Sequence, residues 1–389
     1  MLKKLDLFEK LLVLCMVITP FTLLRVGVMG IGESIIIILF LYEFNQRKLD
    51  FKLSEFIFTK FWILYLVISL FGFSFNVLFL NHKTGTFDGM LFDFSAYFLI
   101  LLSCYTIESY QKRKGLNIYR ILKYLFFCSS IVLTLLYILS LFSPTLLGLP
   151  LRYNKYFAPL VRNLHQISMF IIPLPFIGAL IFEREKSKII KIIIIGLVVV
   201  LFLMGIETGS FKAFIGLYLG AIIYLFLRFI SLFNDKFRKP ILFISFLLFL
   251  FIFLINFETI SVLLTNMFHE EDVSDGRAIL YTNAIKVGLS SPIVGLGTGP
   301  HILSGGNFWD AHQTFLAVFL QTGLVGIILF FNILVKVVVK IFRTPALFGA
   351  LIPILVYISG GDVLRRLPIW LFLLLFYYYQ PTINEEVNE

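Results

Sequence analysis

The chain has 389 residues, of which 59% are hydrophobic and only 14% charged, and its formal net charge is +10. One soluble core cannot hide that much apolar surface, so the composition excludes a soluble globular protein and predicts a polytopic membrane protein. The positive charge does not predict a nucleic-acid partner, because most of it lies in short loops between apolar runs, where membrane topology explains it.

Apolar runs long enough to cross a bilayer follow one another along the chain. A hydrocarbon core of ~30 Å needs about 20 helical residues, and unsatisfied backbone groups force each run into a helix. The sequence therefore predicts an all-α fold with about 12 transmembrane helices in one membrane domain, residues 1–389. No small-residue cleavage site follows the basic N-terminus, so the first run is expected to be a retained span. The predicted spans are 7–24, 27–44, 56–79, 89–107, 119–142, 166–182, 189–206, 211–230, 240–257, 312–335, 345–359 and 367–380.

Alternate connections between the spans are rich in lysine and arginine. Because Lys and Arg are retained in the cytoplasm, this alternation predicts that both termini are cytoplasmic. The two long connections, 143–165 and 258–311, then face outward. The basic sets assigned to the inner side are Lys3, Lys4 and Lys10; Arg47, Lys48 and Lys52; Lys112, Arg113 and Lys114; Arg184, Lys186 and Lys188; Lys236, Arg238 and Lys239; and Lys336, Lys340 and Arg343.

Several basic side chains fall on the predicted outer side, against this rule. They are Arg152, Lys155, Arg162, Lys212, Arg277 and His312. Outward-facing cations are unusual in short loops, and they predict that an anionic ligand binds at this side of the membrane.

The longer outer connection contains a predicted surface helix. Ser274 and Asp275 can cap it, and it ends before Ser290-Ser291-Pro292. Arg277 lies in its first turn. Its apolar residues recur at three- and four-residue spacing, which predicts that one side of the helix lies on the membrane surface. These residues are Ala278, Tyr281, Ile285 and Leu289.

The glycine-rich segment 295–300 follows this helix. Its glycines permit sharp turns and close approach of the backbone to a ligand. It is not a nucleotide-binding fingerprint, because no strand precedes it and no helix opens on it.

No metal and no cofactor are predicted. The acidic run His269-Glu-Glu-Asp272 could hold a divalent ion, but its spacing is not that of an EF-hand, and a solvated loop tip is the commoner explanation. The three cysteines, Cys15, Cys104 and Cys128, all lie within apolar runs, so neither a disulfide framework nor a thiolate metal site is indicated.

His312 begins the tenth predicted span, directly after Trp309-Asp310-Ala311. Histidine is the side chain that titrates closest to neutral pH, which suits a general base. Asp310 could orient His312 or raise its basicity. The alternative is an interfacial polar residue that anchors the helix end, as Trp309 would. The residue types alone leave both interpretations open.

Four short motifs follow in order between residues 275 and 330: Asp275-Gly-Arg277-Ala, Ser291-Pro-Ile-Val-Gly-Leu-Gly-Thr-Gly299, Ala311-His312-Gln-Thr-Phe-Leu316 and Gln321-Thr-Gly323-Leu-Val-Gly326. This order resembles the signature region of the bacterial O-antigen polymerase and O-antigen ligase family. There, an arginine-bearing surface helix, a proline–glycine segment and a His-Asn-x-x-Leu motif precede a glycine-containing span.

A second similarity is Glu207-Thr-Gly-Ser-Phe-Lys212, where the family often has Ser-Arg. The chain departs from the family at two positions. Gln313 replaces the usual asparagine. Lys212 stands one residue late in place of the arginine, and a lysine offers a point charge instead of a planar fork.

The resemblance implies a GT-C-like, metal-independent, inverting glycosyltransferase. Its donor would be an undecaprenyl pyrophosphate-linked glycan on the outer side of the bacterial cytoplasmic membrane. His312 would be the general base. Cations would stabilise the negative charge on the departing pyrophosphate, with Arg277 the first candidate, Arg162 the second and Lys212 the third. Weaker candidates, for which interface anchoring or structural pairing is at least as good an explanation, are Arg152, His165 and the pair Arg365 and Arg366.

The expected partners are the lipid-linked donor, an acceptor glycan or lipid A core, membrane lipid and a chain-length regulator protein. The sequence does not decide between a polymerase and a ligase. We favour a polymerase, because the repeat-specific enzymes are the more varied set and this chain departs from the usual motif. A lipid-linked oligosaccharide flippase or another transporter is the alternative from a different class, although no internal repeat of a symmetric transporter is visible.

Overall fold

The computed structural model describes residues 5–26, 29–46, 55–80, 82, 85, 87–233, 240, 244, 274–304 and 307–380. The described part of the chain is predominantly helical. In chain order its helices are α1 (Leu7–Ile18), α2 (Ile31–Asn45), α3 (Ile57–Phe75, continued by a π-turn at Asn76–Leu80), α4 (Phe87–Lys114), α5 (Ile118–Phe142), α6 (Leu164–Ile171), α7 (Leu174–Arg184), α8 (Lys188–Glu207), α9 (Phe211–Ser231), α10 (Ser274–Gly288), α11 (Thr314–Ile341), α12 (Pro345–Gly360) and α13 (Leu367–Tyr378).

Seven helical segments within these residues are long and apolar enough to cross a bilayer, and α12 and α13 are shorter apolar helices. This result confirms the all-α, polytopic membrane class. Apart from residues 240 and 244, the predicted span 240–257 lies outside the described residues, so the total of about 12 spans stays a prediction. The seven segments are Ile57–Leu80, Gly89–Lys114, Ile118–Phe142, Leu164–Arg184, Lys188–Glu207, Phe211–Ile230 and Thr314–Ile341.

Prolines account for two differences from the predicted boundaries. Helix α1 ends at Ile18 rather than at residue 24, because Pro20 cannot continue the helical hydrogen-bond pattern. The predicted span 166–182 consists of two helices, α6 and α7, which are separated at Pro173. Each proline lacks the amide hydrogen that a continuous helix requires.

The connections contain short antiparallel strand pairs, which the sequence analysis did not predict. Each pair is local to one loop and leaves the helical class unchanged. The pairs are β1 (Arg25–Val26) with β2 (Met29–Gly30), β3 (Thr145–Leu146) with β4 (Leu149–Pro150), β5 (Arg152–Tyr153) with β6 (Tyr156–Phe157), and β7 (Ile302–Ser304) with β8 (Asn307–Trp309).

Helix α13 occupies the centre of the bundle. Leu367 and the whole run from Ile369 to Phe376 are buried, as expected for a helix that is apolar on all sides. The ring of Trp370 stacks on Phe61 at a centroid distance of 5.3 Å and meets Trp62 edge-on at 4.6 Å. The neighbouring helices therefore enclose α13 and separate it from lipid.

Polar contacts collect at the two ends of the bundle. At one end, Arg113 pairs with Glu43 at 2.5 Å and Lys123 with Glu185 at 2.9 Å. We call the opposite end the loop end; it contains strands β3 to β8, residues 208–210 and residues 361–366. The described residues of the connections predicted as inner and as outer thus lie at opposite ends, while the orientation of these ends in the cell stays a prediction.

Helix α11 is interrupted at Gly323, whose φ of 63° and ψ of −158° are not helical. Residues 292–297 lie in this break. The amides of Leu296 and Gly297 donate to the carbonyls of Leu320 (2.7 Å) and Gln321 (3.1 Å). In return, Pro292 O accepts from the amide of Leu324 at 2.8 Å. A break in an apolar helix requires such substitute partners, because lipid offers none.

The glycines of segment 295–300 were expected to approach a ligand, but two of them contact the protein itself. A Cβ at Gly295 would lie 2.4 Å from the Thr322 nitrogen, and one at Gly297 would lie 2.5 Å from the Phe73 Cβ. This expectation is therefore corrected for Gly295 and Gly297: they allow the segment to pack between α3 and α11.

Replacement of Gly323 by alanine tests this arrangement. The new Cβ would lie 2.3 Å from the Ile293 carbonyl carbon, on a backbone with positive φ. We expect Gly323→Ala to lower the free energy of unfolding by at least about 2 kcal/mol, measured by thermal unfolding of the purified protein in detergent. Gly196→Ala in α8 is the matched control, because no atom lies within 4 Å of its Cβ. Equal thermal midpoints of the two variants would contradict the assignment.

Candidate active site

His312 lies in the turn between β8 and α11, at the loop end. Its side chain is exposed and its φ is +51°. The imidazole packs edge-on against the ring of Trp309, with centroids 6.4 Å apart. Among the described residues, no side chain forms a hydrogen bond with this ring. The imidazole nitrogens are therefore accessible for proton exchange.

The residues after His312 are fixed to the end of α12. Both the amide and the Oγ1 of Thr314 donate to the carbonyl of Gly361, at 3.0 and 2.5 Å. Gln313 Nε2 donates to the carbonyl of Ser359 at 3.1 Å, and Gln313 Oε1 caps α11 by accepting from the amide of Leu316 at 2.6 Å. Gln313 thus performs the capping for which asparagine is a preferred residue, so this departure from the family motif preserves the local geometry.

Asp310 is fixed by a cluster of ionic hydrogen bonds around Arg365, which we call the Arg365 cluster. The Arg365 guanidinium donates to Asp93 Oδ1 at 2.7 Å, to Asp310 Oδ2 at 2.8 Å and to Asp362 Oδ2 at 3.4 Å. Asp93 belongs to α4, Asp310 to the β8–α11 connection and Asp362 to the α12–α13 connection. One side chain therefore joins three parts of the chain.

Asp310 was expected to orient His312 or raise its basicity, and the structure gives it a different partner. Its carboxylate accepts from Arg365, and no hydrogen bond joins Asp310 to His312 among the described residues. A guanidinium is a stronger partner for a carboxylate than a neutral imidazole, because both groups are charged. Asp310 therefore acts on His312 through the backbone, two residues away.

Arg365 and Arg366, which the sequence analysis treated as a pair, differ in their surroundings. Burial opposes the charge of Arg365, but the three carboxylates outweigh it and raise its pKa above the usual value. Burial and the neighbouring charge of Arg365 lower the pKa of Arg366. Among the described residues Arg366 has no ion pair, and its Nε has no hydrogen-bond partner. Arg365 is a structural residue, whereas Arg366 adds positive charge to the site.

Lys212 approaches the same segment of α12. It lies in the first turn of α9, and its side chain runs along Gly360 and Gly361. A Cβ at Gly360 would be 2.9 Å from Lys212 Cε, and one at Gly361 would be 3.3 Å from Lys212 Nζ. Gly361 also accepts from Thr314, so the side chain of Lys212 and the backbone two residues after His312 both contact Gly361.

His165 is joined to this region by a chain of hydroxyl groups. Its Nδ1 is 3.1 Å from Ser210 Oγ, which is 2.6 Å from the hydroxyl of Tyr357. That hydroxyl in turn lies 2.5 Å from Ser168 Oγ. These hydroxyl groups connect α6, the start of α9 and α12, and one of them, that of Ser210, is two residues from Lys212.

Arg152 and Arg162 lie at the same end but differ in pairing. The Arg152 guanidinium binds Glu207 at 3.3 Å, Ser140 Oγ at 3.2 Å and the carbonyl of Lys155 at 3.1 Å. Arg162 is exposed, and its side chain makes no hydrogen bond or ion pair among the described residues. Of these two arginines, Arg162 is the one available to an anion.

Arg277 lies in the first turn of α10, but its side chain is outside the described part of the structure. Its contact with pyrophosphate stays a prediction. The acidic run 269–272 also lies outside the described residues. Within the described ranges, no three His, Cys, Asp or Glu side chains lie close enough to hold a metal ion.

A second histidine, His301, is buried before β7. Its Nε2 donates to the carbonyl of Gly297 at 2.8 Å, while its Nδ1 has no partner. Burial is the main reason that its pKa falls to about 4, so the ring is neutral at physiological pH.

The hydroxyl chain was not predicted from the sequence, and structural pairing of Arg365 was considered without its partners. One signal was present: Ser359-Gly-Gly-Asp-Val-Leu-Arg-Arg366 is a polar stretch between two apolar runs. Ionisable groups beside membrane spans usually have a partner. Their partners, however, are distant in sequence, and the stretch alone does not identify them.

These observations describe an integral membrane protein with a polar, cation-bearing site at one end of a helix bundle. A family model described as O-Antigen ligase matches residues 196–331, from α8 into α11, which include Lys212, Arg277 and His312. The match confirms the resemblance to the O-antigen polymerase and ligase family. It indicates a glycosyltransferase-like protein that acts on a lipid-linked glycan and an acceptor in a membrane. None of the curated proteins compared with the chain matches it.

Removal of Arg365 should destabilise the protein strongly, because three carboxylates would lose their common partner. Breaking a buried ionic cluster on one side costs about 3–5 kcal/mol, and we expect this loss for Arg365→Met in thermal or denaturant unfolding. Arg228→Met is the matched control: its pair with Glu183 measures 3.6 Å, and the arginine is 51% exposed. It should cost at most about 1 kcal/mol. If both variants lost a similarly small part of the free energy of unfolding, the Arg365 cluster would not stabilise the fold.

His301 should make stability depend on pH. Its pKa falls from 6.5 to about 4 on folding, so its contribution is complete above pH 6.5 and lost as the pH falls toward 4. Over this range the wild type should lose about 3 kcal/mol of its free energy of unfolding more than His301→Asn does. Thermal unfolding of both proteins at several pH values measures the difference. Parallel pH curves would exclude His301 as the cause.

Proposed function

We propose that the protein is a surface-polysaccharide polymerase of the bacterial cytoplasmic membrane. It would transfer an undecaprenyl pyrophosphate-linked glycan to a hydroxyl of an acceptor sugar on the outer side, with inversion and without a metal ion. The observation that carries this proposal is the environment of His312. Its ring is exposed and free of hydrogen bonds within the described structure, while Asp310 and Thr314 hold the backbone on both sides.

The proposed reaction uses the imidazole and the cations in different ways. The acceptor hydroxyl gives its proton to His312 while its oxygen forms a bond to the anomeric carbon. The bond between that carbon and the pyrophosphate breaks, and its electron pair leaves with the undecaprenyl pyrophosphate. Arg277, Arg162 and Lys212 stabilise the added negative charge, as preorganised cations do in sites from which water is excluded.

The position of Lys212 supports this assignment. Its side chain lies along Gly360 and Gly361, and the carbonyl of Gly361 anchors the start of α11 after His312. A base and an anion-binding cation beside one segment fit a transfer in which a proton leaves the acceptor and charge develops on the donor. Arg162, exposed at the loop end, is the second cation that the described structure offers to the phosphates.

A ligase is the second candidate, and the description of the matching family model favours it. Such an enzyme would move the finished chain to lipid A core or another acceptor with the same base and cations. A chain-length regulator protein would be a partner of the polymerase. In a Gram-negative source, lipopolysaccharide from a deletion strain separates the two. Core that carries one repeat indicates a lost polymerase, whereas bare core with polymer still on the carrier lipid indicates a lost ligase.

Replacement of His312 tests the proposed base. Loss of a positioned base lowers rates by about 10²- to 10⁴-fold, so His312→Ala should abolish chain extension in cells without lowering the amount of protein in the membrane. Electrophoresis of the surface polysaccharide and an immunoblot measure the two. Thr282→Ala, at an exposed position of α10, is the control and should give normal chains. Normal chain lengths in His312→Ala would remove the general-base assignment.

A further inference from the structure

A cavity of about 660 Å³ lies between α10, the end of α3 and the β7–β8 hairpin. It is separate from the site around His312. Phe308 lines the cavity, whereas the next residue, Trp309, contacts His312. Successive side chains of a strand point to opposite faces. The cavity and His312 therefore lie on opposite faces of one hairpin.

Polar groups that have no partner among the described residues line this cavity. The Asn283 amide and the Lys286 ammonium group make no hydrogen bond or ion pair with any described residue. Ser290 Oγ donates to the carbonyl of Val287 at 2.6 Å, which leaves its lone pairs free. His301 also lines the cavity, but it is only 1% exposed and its Nδ1 is buried.

Helix α10 directs these groups into the cavity. Asn283, Lys286 and Ser290 occur at three- and four-residue spacing, so they share one side of the helix and the turn that follows it. Another side packs on α11: Ala284 is buried, and a Cβ at Gly288 would lie 2.4 Å from the ring of Phe319. This packing fixes the rotation of α10 and hence the direction of the polar side chains.

We propose that this cavity binds a saccharide segment of the growing glycan, apart from the bond that is made at His312. This inference rests on the proposed function. The cavity presents the two surfaces that a sugar ring requires: apolar walls from Leu80 and Phe308 for its C–H faces, and free donors and acceptors for its hydroxyls. Its volume falls within the ~300–1,000 Å³ of pockets that enclose ligands as large as a short oligosaccharide. A lipid chain would instead leave the polar groups unsatisfied.

A binding experiment with lipid-free glycan tests the proposal. The probe is an oligosaccharide of a few repeat units, released by mild acid from the surface polysaccharide of the source bacterium. Its Kd is measured by calorimetry with the full chain in nanodiscs. The wild type and Thr282→Ala should bind equally, whereas Asn283→Ala and Lys286→Gln should each bind about tenfold more weakly. Lys286 is exposed and makes no described contact that folding depends on, so its variant guards against misfolding as the cause.

His312→Ala separates this proposal from the proposed function. It should retain oligosaccharide binding while it loses transfer, because His312 lies on the other face of the hairpin. Transfer kinetics identify which glycan occupies the cavity: Asn283→Ala raises the KM for the acceptor if the acceptor chain lies there, and the KM for the donor if the donor chain does. Oligosaccharide binding that neither cavity variant weakens, or no binding by the wild type, overturns the cavity assignment. No transfer by the wild type overturns the proposed function alone, whereas normal transfer by His312→Ala removes only the general-base assignment.

Discussion

The Arg365 cluster holds together the part of the molecule that bears the candidate site. Its four members come from α4, from the turn before α11 and from the α12–α13 connection. One guanidinium faces three carboxylates, so the cluster has an excess of negative charge, which the neighbouring Arg366 partly offsets. Removing charged side chains from water costs free energy, and the contacts among these side chains offset that cost. The cluster therefore has one stable arrangement, and the three segments are held in a single relative position.

The segment from Ser359 to Arg366 contributes no proposed base, yet it positions the residues that could react. Gly361 and Ser359 hold the start of α11 through backbone carbonyls, and Arg365 holds Asp310. The same two glycines leave room for the side chain of Lys212. The relative position of the proposed base, His312, and the cation Lys212 is thus set by residues that contact neither the donor nor the acceptor in the proposed reaction. A side chain at residue 360 would clash with the side chain of Lys212 and displace its ammonium group.

The helical spans could be predicted from the sequence, because the length of an apolar run is a local property and lipid allows few alternatives to a helix. His312 could be singled out because of its position at the start of a span. The partners of Arg365 could not be predicted, since Asp93 and Asp310 lie far from it in the chain and only folding brings them together. The neighbour of the glycine segment 295–300 could not be predicted, because a glycine permits close approach to any group. The sequence does not reveal that, at Gly295 and Gly297, the neighbours are α3 and α11 rather than a ligand.

The enclosure of α13 has a consequence for biogenesis. A helix of 12 residues is about 18 Å long and cannot cross ~30 Å of hydrocarbon unaided. In the chain it follows every other described helix that surrounds it. Arg365 and Arg366 immediately precede it, so the Arg365 cluster can form only when the segment that leads into α13 has been made. A nascent chain therefore acquires the clamp on Asp310 later than the helices that the clamp joins.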